Sequence, residues 1–492
     1  MSNDFIPRGL ANKNNSTFQL LKGVPMLKLK QIAIAVMLVL PFTSAQSAEA
    51  VDPSDFNQLQ VKVDALQDNM EISGLKGLRI SGGIDPVWIY NRAKGTASFA
   101  FLNNFSSING SGEFYSYDNS YFGMAYLDIQ KEMDDGGTKM RITLEPSKSA
   151  GSQYNFGNIV HEASATIPID GPATRLIVGQ MPDVSGYEPF INGFAGANAI
   201  TSNQLYPGFG EFFITKNMLF DFAAATYYTG AGVDMVRGPW EAKFILANFN
   251  SARNDCPVTA VGAGAGVCHG ASRSPTFIYN ATYAKEEYWG FEFTGYEGSV
   301  TNWNAGGVSR LDQFEIDGWY TRGDFNSNLQ YTVGRQKNAA NNYSGDAGWW
   351  GISSLISERV TPRLTLAGRF DYLNNEKNGG GTFNTYDSNY CNSAINAKVS
   401  GLPACDPASL FSTGDSINGF GQGDPSAADY DINKGANRYE LSLSATYRLT
   451  RYVALRSELR HDMSTKSSFY YFNDGTFHKS NDTFALQTVV NF

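Results

Sequence analysis

The residues of this 492-residue chain best placed to do chemistry are arginines and carboxylates that recur at every second position. From Arg438 to Leu449, the residues Arg438, Glu440, Ser442, Ser444, Thr446 and Arg448 alternate without exception with Tyr439, Leu441, Leu443, Ala445, Tyr447 and Leu449. After Thr450-Arg451, the series Arg456, Glu458, Arg460 and Asp462 continues the charged side, and Val453, Leu455 and Leu459 the apolar one. A period of two places these charges on one face of an extended strand. Other windows assign Lys139, Arg141, Arg175, Glu292, Glu315, Asp317, Arg335, Arg363, Arg369 and Asp371 to the same kind of face. Facing guanidinium and carboxylate groups make a field that orients a dipolar solute without bonding to it covalently.

Covalent or metal chemistry has little support. The four histidines, His161, His269, His461 and His478, form no His-Glu-x-x-His pair, and neither a haem-attachment motif nor a Gly-x-Ser-x-Gly elbow occurs in a suitable setting. His461 beside Asp462 leaves a serine hydrolase at a barrel rim open, although a rim histidine is the simpler reading. The Gly-rich run 260–267 lacks the Lys-Ser/Thr ending of a phosphate loop. Asp387, Asp406, Asp415, Asp424, Asp429 and Asp431 supply hard oxygens that could hold Ca²⁺, but not at the spacing of a twelve-residue calcium loop. No metal or other cofactor is expected. Cys256 with Cys268, and Cys391 with Cys405, fall in two predicted loops and none in a strand, which in an exported protein reads as two local disulfides.

Composition limits the elements that can carry these faces. With 17% charged, 42% apolar and 13% aromatic residues, 50 Gly and 18 Pro, the chain is neither disordered nor fibrous. Beyond residue 50 there are 33 basic and 45 acidic residues, a balance that argues against a nucleic-acid partner. Only 32–42 approaches the apolar run of a membrane-spanning helix, and it is too short. It reads instead as the core of a signal peptide, with Met26-Leu-Lys-Leu-Lys30 before it and Ala48-Glu49-Ala50 as the cleavage site. A cut after Ser47 is the alternative. Residues 1–50 are therefore read as a leader, with translation starting at Met26.

Residues 51–74 predict a short amphipathic helix, capped at Asp52-Pro53-Ser54-Asp55 and carrying Phe56, Leu59, Val63, Leu66 and Met70 on a heptad seam. Either a periplasmic helix that trimerises or docks beneath a larger body, or an ordinary amphipathic lead-in helix, fits.

From 75 to 492 the period predicts an all-β domain of about 16 strands, range 14–18, at 75–90, 121–132, 138–146, 156–167, 173–181, 219–235, 240–249, 275–285, 288–298, 310–321, 326–336, 348–358, 362–373, 437–449, 451–463 and 483–492. Connections after even-numbered strands are short, and those after odd-numbered strands mostly long. Such sorting is the mark of a transmembrane, antiparallel up-and-down β-barrel with both termini on the periplasmic side. Closure also satisfies every backbone group that lipid cannot. Either loop 374–436 or loop 182–218 could fold inward and narrow the pore; 182–218, stiffened by Pro182, Pro189 and Pro207, is preferred, with Tyr187, Glu188 and Phe190 lining the constriction.

Phe484, Leu486, Val490 and the terminal Phe492 share a face. That ending resembles outer-membrane barrels, in which a terminal aromatic is a signal to the barrel assembly machinery. With the leader and the sorted loops, the chain resembles the porins of Gram-negative outer membranes. The run from Arg175 to Glu188, a strand ending in Gly179-Gln-Met-Pro182 and leading into Gly186-Tyr-Glu188, is similar to the OmpL-like porin superfamily. The resemblance implies a passive channel for small hydrophilic solutes or ions, embedded in outer-membrane lipid and often homotrimeric. The Arg-rich last strands predict a basic wall with weak anion preference, or a sugar or carboxylate solute. Two other readings stay open, a lipase-like barrel enzyme and a secreted soluble β-sandwich that binds carbohydrate. N-terminal sequencing should find Val51 first in the exported protein and Met26 first in its precursor; a precursor containing Asn3 or Asp4 overturns the internal start.

Overall fold

The computed structural model describes residues 76–492 apart from 102–122, 145–159, 189–211, 250–274, 302–307, 341–344, 376–422 and scattered turn positions. The leader and the 51–74 helix lie outside the described residues, as do Phe190 and all four cysteines.

Strands follow in chain order as β1 (Leu78–Ile84), β2 (Val87–Asn91), β3 (Thr96–Ala100), β4 (Ala125–Glu132), β5 (Lys139–Leu144), β6 (Val160–Pro168) and β7 (Thr174–Pro182). A six-residue helix α1 (Met218–Ala223) precedes β8 (Tyr227–Arg237), β9 (Trp240–Phe249), β10 (Thr276–Lys285), β11 (Trp289–Thr301), β12 (Val308–Arg322) and β13 (Phe325–Gln336). The chain ends through β14 (Ala347–Thr361), β15 (Leu364–Asn374), β16 (Arg438–Arg448), β17 (Val453–Ser464), the small hairpin β18 (Phe469–Tyr471) and β19 (Thr476–His478), and β20 (Ser480–Asn491).

From β4 to β17 each consecutive barrel strand pairs antiparallel with the next, and β20 pairs with β17 on one side and with β1 and β2 on the other. The sheet therefore closes on itself. Strands β1 and β2 form one stave, interrupted at Asp85-Pro86 where proline has no N–H to give. Strands β3 and β4 both pair with that stave, at Asn91–Val87 and Ile84–Leu78, so together they make up a second stave. The barrel thus has sixteen staves, the expected number, and the β18–β19 hairpin stands apart from it. Connections also sort as expected. The turns at 238–239 and 323–324 are two residues long, with Gly238 and Gly323 at φ of +60° and +61°.

The period-two pattern resolves into a polar inside and an apolar outside. On β16, Arg438, Glu440 and Ser442 are buried while Leu441 and Leu443 are 48% and 54% exposed. Leu366 and Phe370 on β15, Leu455 on β17 and Leu486 on β20 are likewise exposed. A soluble sandwich would reverse this distribution; an outward apolar wall belongs in lipid. Aromatic rings cluster at both ends of that wall. At the short-turn end Trp240 lies 4.9 Å from Tyr283 and 5.8 Å from Phe291, and at the long-loop end Tyr372 lies 5.0 Å from Trp350 and 4.9 Å from Tyr439. These are the levels at which an amphipathic ring is best solvated.

Three expectations about elements are corrected. Residues 219–223 are helical, not the beginning of a strand, because Asn217 caps them by accepting a hydrogen bond from the Phe220 N–H at 2.7 Å. Residues 96–100 are a strand within a predicted loop, and the predicted final loop contains the β18–β19 hairpin. Leu443→Arg, near the middle of the outer face, is expected to destabilise the folded barrel by about 2–4 kcal/mol in urea unfolding from lipid vesicles.

Candidate functional site

The lumen wall from β15 to β17 is a lattice of arginines and carboxylates. The fork of Arg369 donates to Glu440 through Nε at 3.0 Å and Nη2 at 2.6 Å. Arg460 lies 3.0 Å from the other Glu440 oxygen and 3.0 Å from Asp462, and Asp462 also accepts from Arg438 at 2.5 Å. All five side chains are buried. Ionised groups withdrawn from bulk water need opposed charge and several hydrogen bonds each, and the planar guanidinium meets both needs at once. A second group joins Arg141 to Asp128 at 2.7 Å and to Glu162 at 3.5 Å, and a third joins Arg175 to Asp234 and Lys243 to Glu241, the latter at 2.7 Å. What reads in sequence as a basic wall is in three dimensions a charge-balanced one.

Across this lattice lies the chain between β7 and β8. Its described parts, 183–188 and 212–224, are buried inside the barrel. Glu458 accepts from the backbone N–H groups of Ile214 and Thr215, Glu188 from Asn217 N at 2.8 Å and Asp371 from Met218 N at 2.9 Å. In return Arg369 donates to the Thr215 carbonyl at 2.8 Å, and Arg460 to the Lys216 carbonyl at 3.0 Å. The Arg369 guanidinium also stands 4.5 Å from the centre of the Phe213 ring. On another side Asn280 donates to the Val184 carbonyl at 3.1 Å, the Tyr296 hydroxyl bonds to Asp183, and Gln313 donates to the Ala223 carbonyl at 2.7 Å. Tyr187 meets Ser353 through its hydroxyl at 2.5 Å. Close approach is possible because Gly351 leaves room for Leu219, whose methyl would lie 2.3 Å from an added Cβ, and because Gly186 turns at φ +74° against Gln330 and Glu315.

Beneath Gly186 runs a different wall. Glu292 on β11 stands opposite Asp317 on β12, and Thr294 opposite Glu315. Glu292 accepts from Thr282 at 2.9 Å and Thr294 at 3.2 Å, and Glu315 from Thr332 at 2.6 Å. Asp317 accepts no hydrogen bond from a described residue.

The structure therefore brings together Arg369, Asp371, Arg438, Glu440, Glu458 and Arg460 with Tyr187 and Glu188, and gathers Glu292, Glu315 and Asp317 nearby. Arg141, Arg175 and Arg456 also face inward, Arg456 donating to Gln487 at 2.5 Å. Lys139 sits half-exposed on the inward face at the short-turn rim, 3.6 Å from Glu132, and Arg448 has the inward parity but is exposed at the same rim.

Two residues assigned to the lumen are not there. Arg335 shares the outward parity of Leu329, Tyr331 and Val333 and pairs with Asp346 at the long-loop rim, where the Asn338 N–H and the Arg335 guanidinium hold the Asp346 carboxyl below its usual range. Arg363 lies in the short turn before β15. His461 faces outward, its Nδ1 2.6 Å from Asp482, whose other oxygen takes Arg92 at 2.7 Å. No serine or cysteine among the described residues bonds to its remaining nitrogen, so no triad is completed there. Sequence reasoning missed the backbone donors at 214–218, which no side-chain pattern reveals; Asn217 was the readable signal for the helix beside them.

A family model described as a protein of unknown function (DUF3138) matches residues 43–492. No curated protein matches the sequence. Among solved structures the chain is similar to an anion-selective porin from Comamonas acidovorans (10% identity, TM-score 0.46, 84% of this chain and 99% of that one). It is similar also to the outer-membrane channel DcaP of Acinetobacter baumannii (10%, 0.46, 84% and 97%) and to Salmonella typhi OmpF in complex with daunomycin (8%, 0.47, 84% and 97%).

Glu458→Ala removes the acceptor of two buried backbone donors. It should lower barrel stability by about 1–3 kcal/mol for each donor left unpaired, and should expose the inserted chain to proteolysis while the strand signal in circular dichroism persists. Glu132→Ala, at the half-exposed rim, should change neither.

Proposed function

This chain belongs to the DUF3138 family of proteins of unknown function, and on that premise we propose, from the architecture of its lumen, that it is a passive channel for small hydrophilic solutes. One observation carries the reading: the buried wall of a closed barrel is lined with ionisable side chains while its outer wall is apolar. No packed core needs so much charge, whereas a water-filled conduit does. The chain inserted between β7 and β8 narrows it, with Tyr187 and Glu188 as parts of the constriction and Phe190 as a further candidate. A solute passing this level meets arginine forks on β15–β17 and carboxylates on β11–β12, a transverse field that favours alignment of dipolar molecules.

The setting proposed is the outer membrane of a Gram-negative bacterium, with both termini periplasmic and the long loops outside. Phe492 would engage the assembly machinery. The loop cysteines would form the pairs 256–268 and 391–405, and a homotrimer would follow porin precedent. No cofactor is called for by passive transport.

Purified protein in a planar bilayer should pass discrete current steps, and on a gel its mobility should change on heating as the barrel opens. Absence of both overturns the channel, and hydrolysis of phospholipid by the same preparation would favour an enzyme instead.

A further inference from the structure

The distribution of charge within the barrel points to the sign of what it carries. Among the described buried residues there are fourteen carboxylates and seven cationic side chains. Near β15–β17 the two kinds interlock, so the excess is felt elsewhere. It is concentrated where β11 and β12 meet.

Glu292, Glu315 and Asp317 are 0%, 0% and 3% exposed. Glu292 and Asp317 are direct cross-strand partners, and Glu315 lies two residues from Asp317 on the same face. Directly opposed like charges destabilise a sheet, with side chains only about 5 Å apart at their first carbons. Such a pair usually has a cation between its members. Here no described residue forms a close ion pair with any of the three, and the one described cation that acts on the row is Lys243, which reaches Glu292 electrostatically. The nearest candidate, Lys243 on β9, is held by Glu241 at 2.7 Å. The donors that reach the row are hydroxyls of Thr282, Thr294 and Thr332, the amides of Asn280 and Gln330 and the Gly186 N–H, none of which bears a charge. Asp317 Oδ2 is buried and accepts no hydrogen bond from a described residue. On the inserted chain, three residues before Gly186, Asp183 adds a further carboxylate at the Tyr296 hydroxyl.

From this we infer that the lumen selects for cations and that the row Glu292, Glu315 and Asp317 is its selectivity-determining site. The inference rests on the channel reading and names the class of solute that reading leaves open. The counter-charge is provided by mobile cations in the lumen, which respond to the field of the row without contacting its buried oxygens. Fixed chelation does not arise, since no three carboxylates or other ligands among the described residues converge as a metal centre. Retention would in any case oppose conduction, which requires a site that attracts an ion without trapping it. The arginine lattice repels few cations because Glu440, Asp462 and their neighbours already compensate it. Cation selection runs opposite to the weak anion preference expected from the arginine count.

The test uses the purified chain, shown to be folded by its heat-dependent mobility, in a planar bilayer under a tenfold KCl gradient. The reversal potential should have the sign that favours potassium, within the limit of about 59 mV that a tenfold gradient sets for a monovalent ion. Combined Glu292→Gln, Glu315→Gln and Asp317→Asn should bring it toward zero, and millimolar magnesium should depress potassium current in the unmodified protein more than in this variant. Should the triple variant fail to fold, Asp317→Asn alone, which removes no hydrogen bond, should still move the potential part of the way. A reversal potential at zero or on the chloride side, or one unchanged in the folded variants, overturns cation selection while leaving a conducting pore. Absence of any current overturns the channel and the inference with it.

Discussion

Everything in this molecule depends on one seam. The pairing of β20 with β1 and β2, from Gly83 with Asn491 to Asn91 with Thr483, joins the two ends of the domain and leaves the sheet without an edge. Phe492 and Gly82 exchange backbone hydrogen bonds at 2.9 and 3.3 Å to complete it. In water an unpaired edge would be solvated; in lipid each exposed amide would cost several kcal/mol, so the barrel is stable there only when closed. Gly82 matters to this seam because the Phe492 ring lies where a Cβ would sit, 2.7 Å from its nearest carbon. The backbone therefore closes and the terminal ring covers the closure.

Once the sheet is closed its two faces are bound to opposite solvents, and the side chains follow. An ordinary protein spends hydrophobic residues on its centre; this one turns Leu441, Leu443 and Phe370 outward and fills the centre with Arg369, Glu440 and Arg460. Burying these ions is tolerable only because each guanidinium finds a carboxylate and a main-chain carbonyl. The inserted chain is thus part of the electrostatic solution as well as an obstacle in the conduit. Its carbonyls at Thr215 and Lys216 satisfy arginines that the wall alone would leave short of acceptors, and its amides satisfy Glu458 and Asp371.

Most of the architecture was legible in the sequence because a barrel strand repeats one simple rule. Strict alternation from Arg438 to Leu449 located a stave and both its faces, and the sorting of loop lengths gave the topology. Parity also exposes the error at Arg335: it falls in step with Leu329, Tyr331 and Val333, and so is readable as outward from the sequence alone. The interruption at Asp85-Pro86 and the return of β3 to the first stave were not readable, since both depend on pairing with distant residues. For the site, the charged residues were identifiable but their partners were not. That Arg438 meets Asp462, and Arg369 meets Glu440, follows from cross-strand register, which a single strand's pattern does not contain.

The inserted chain has a mechanical meaning too. A sixteen-stave ring is a thin-walled tube, stiff against stretching around its circumference and soft against being squeezed into an oval. Hydrogen bonds fix 183–188 and 212–224 to Asn280, Tyr296 and Gln313 at one part of the ring and to Arg369, Glu458 and Arg460 at another. A member tied at both ends across a chord is a strut. Lateral pressure from the bilayer would then be carried partly through this strut, and the cross-section of the tube would hold its shape as the lipids around it move.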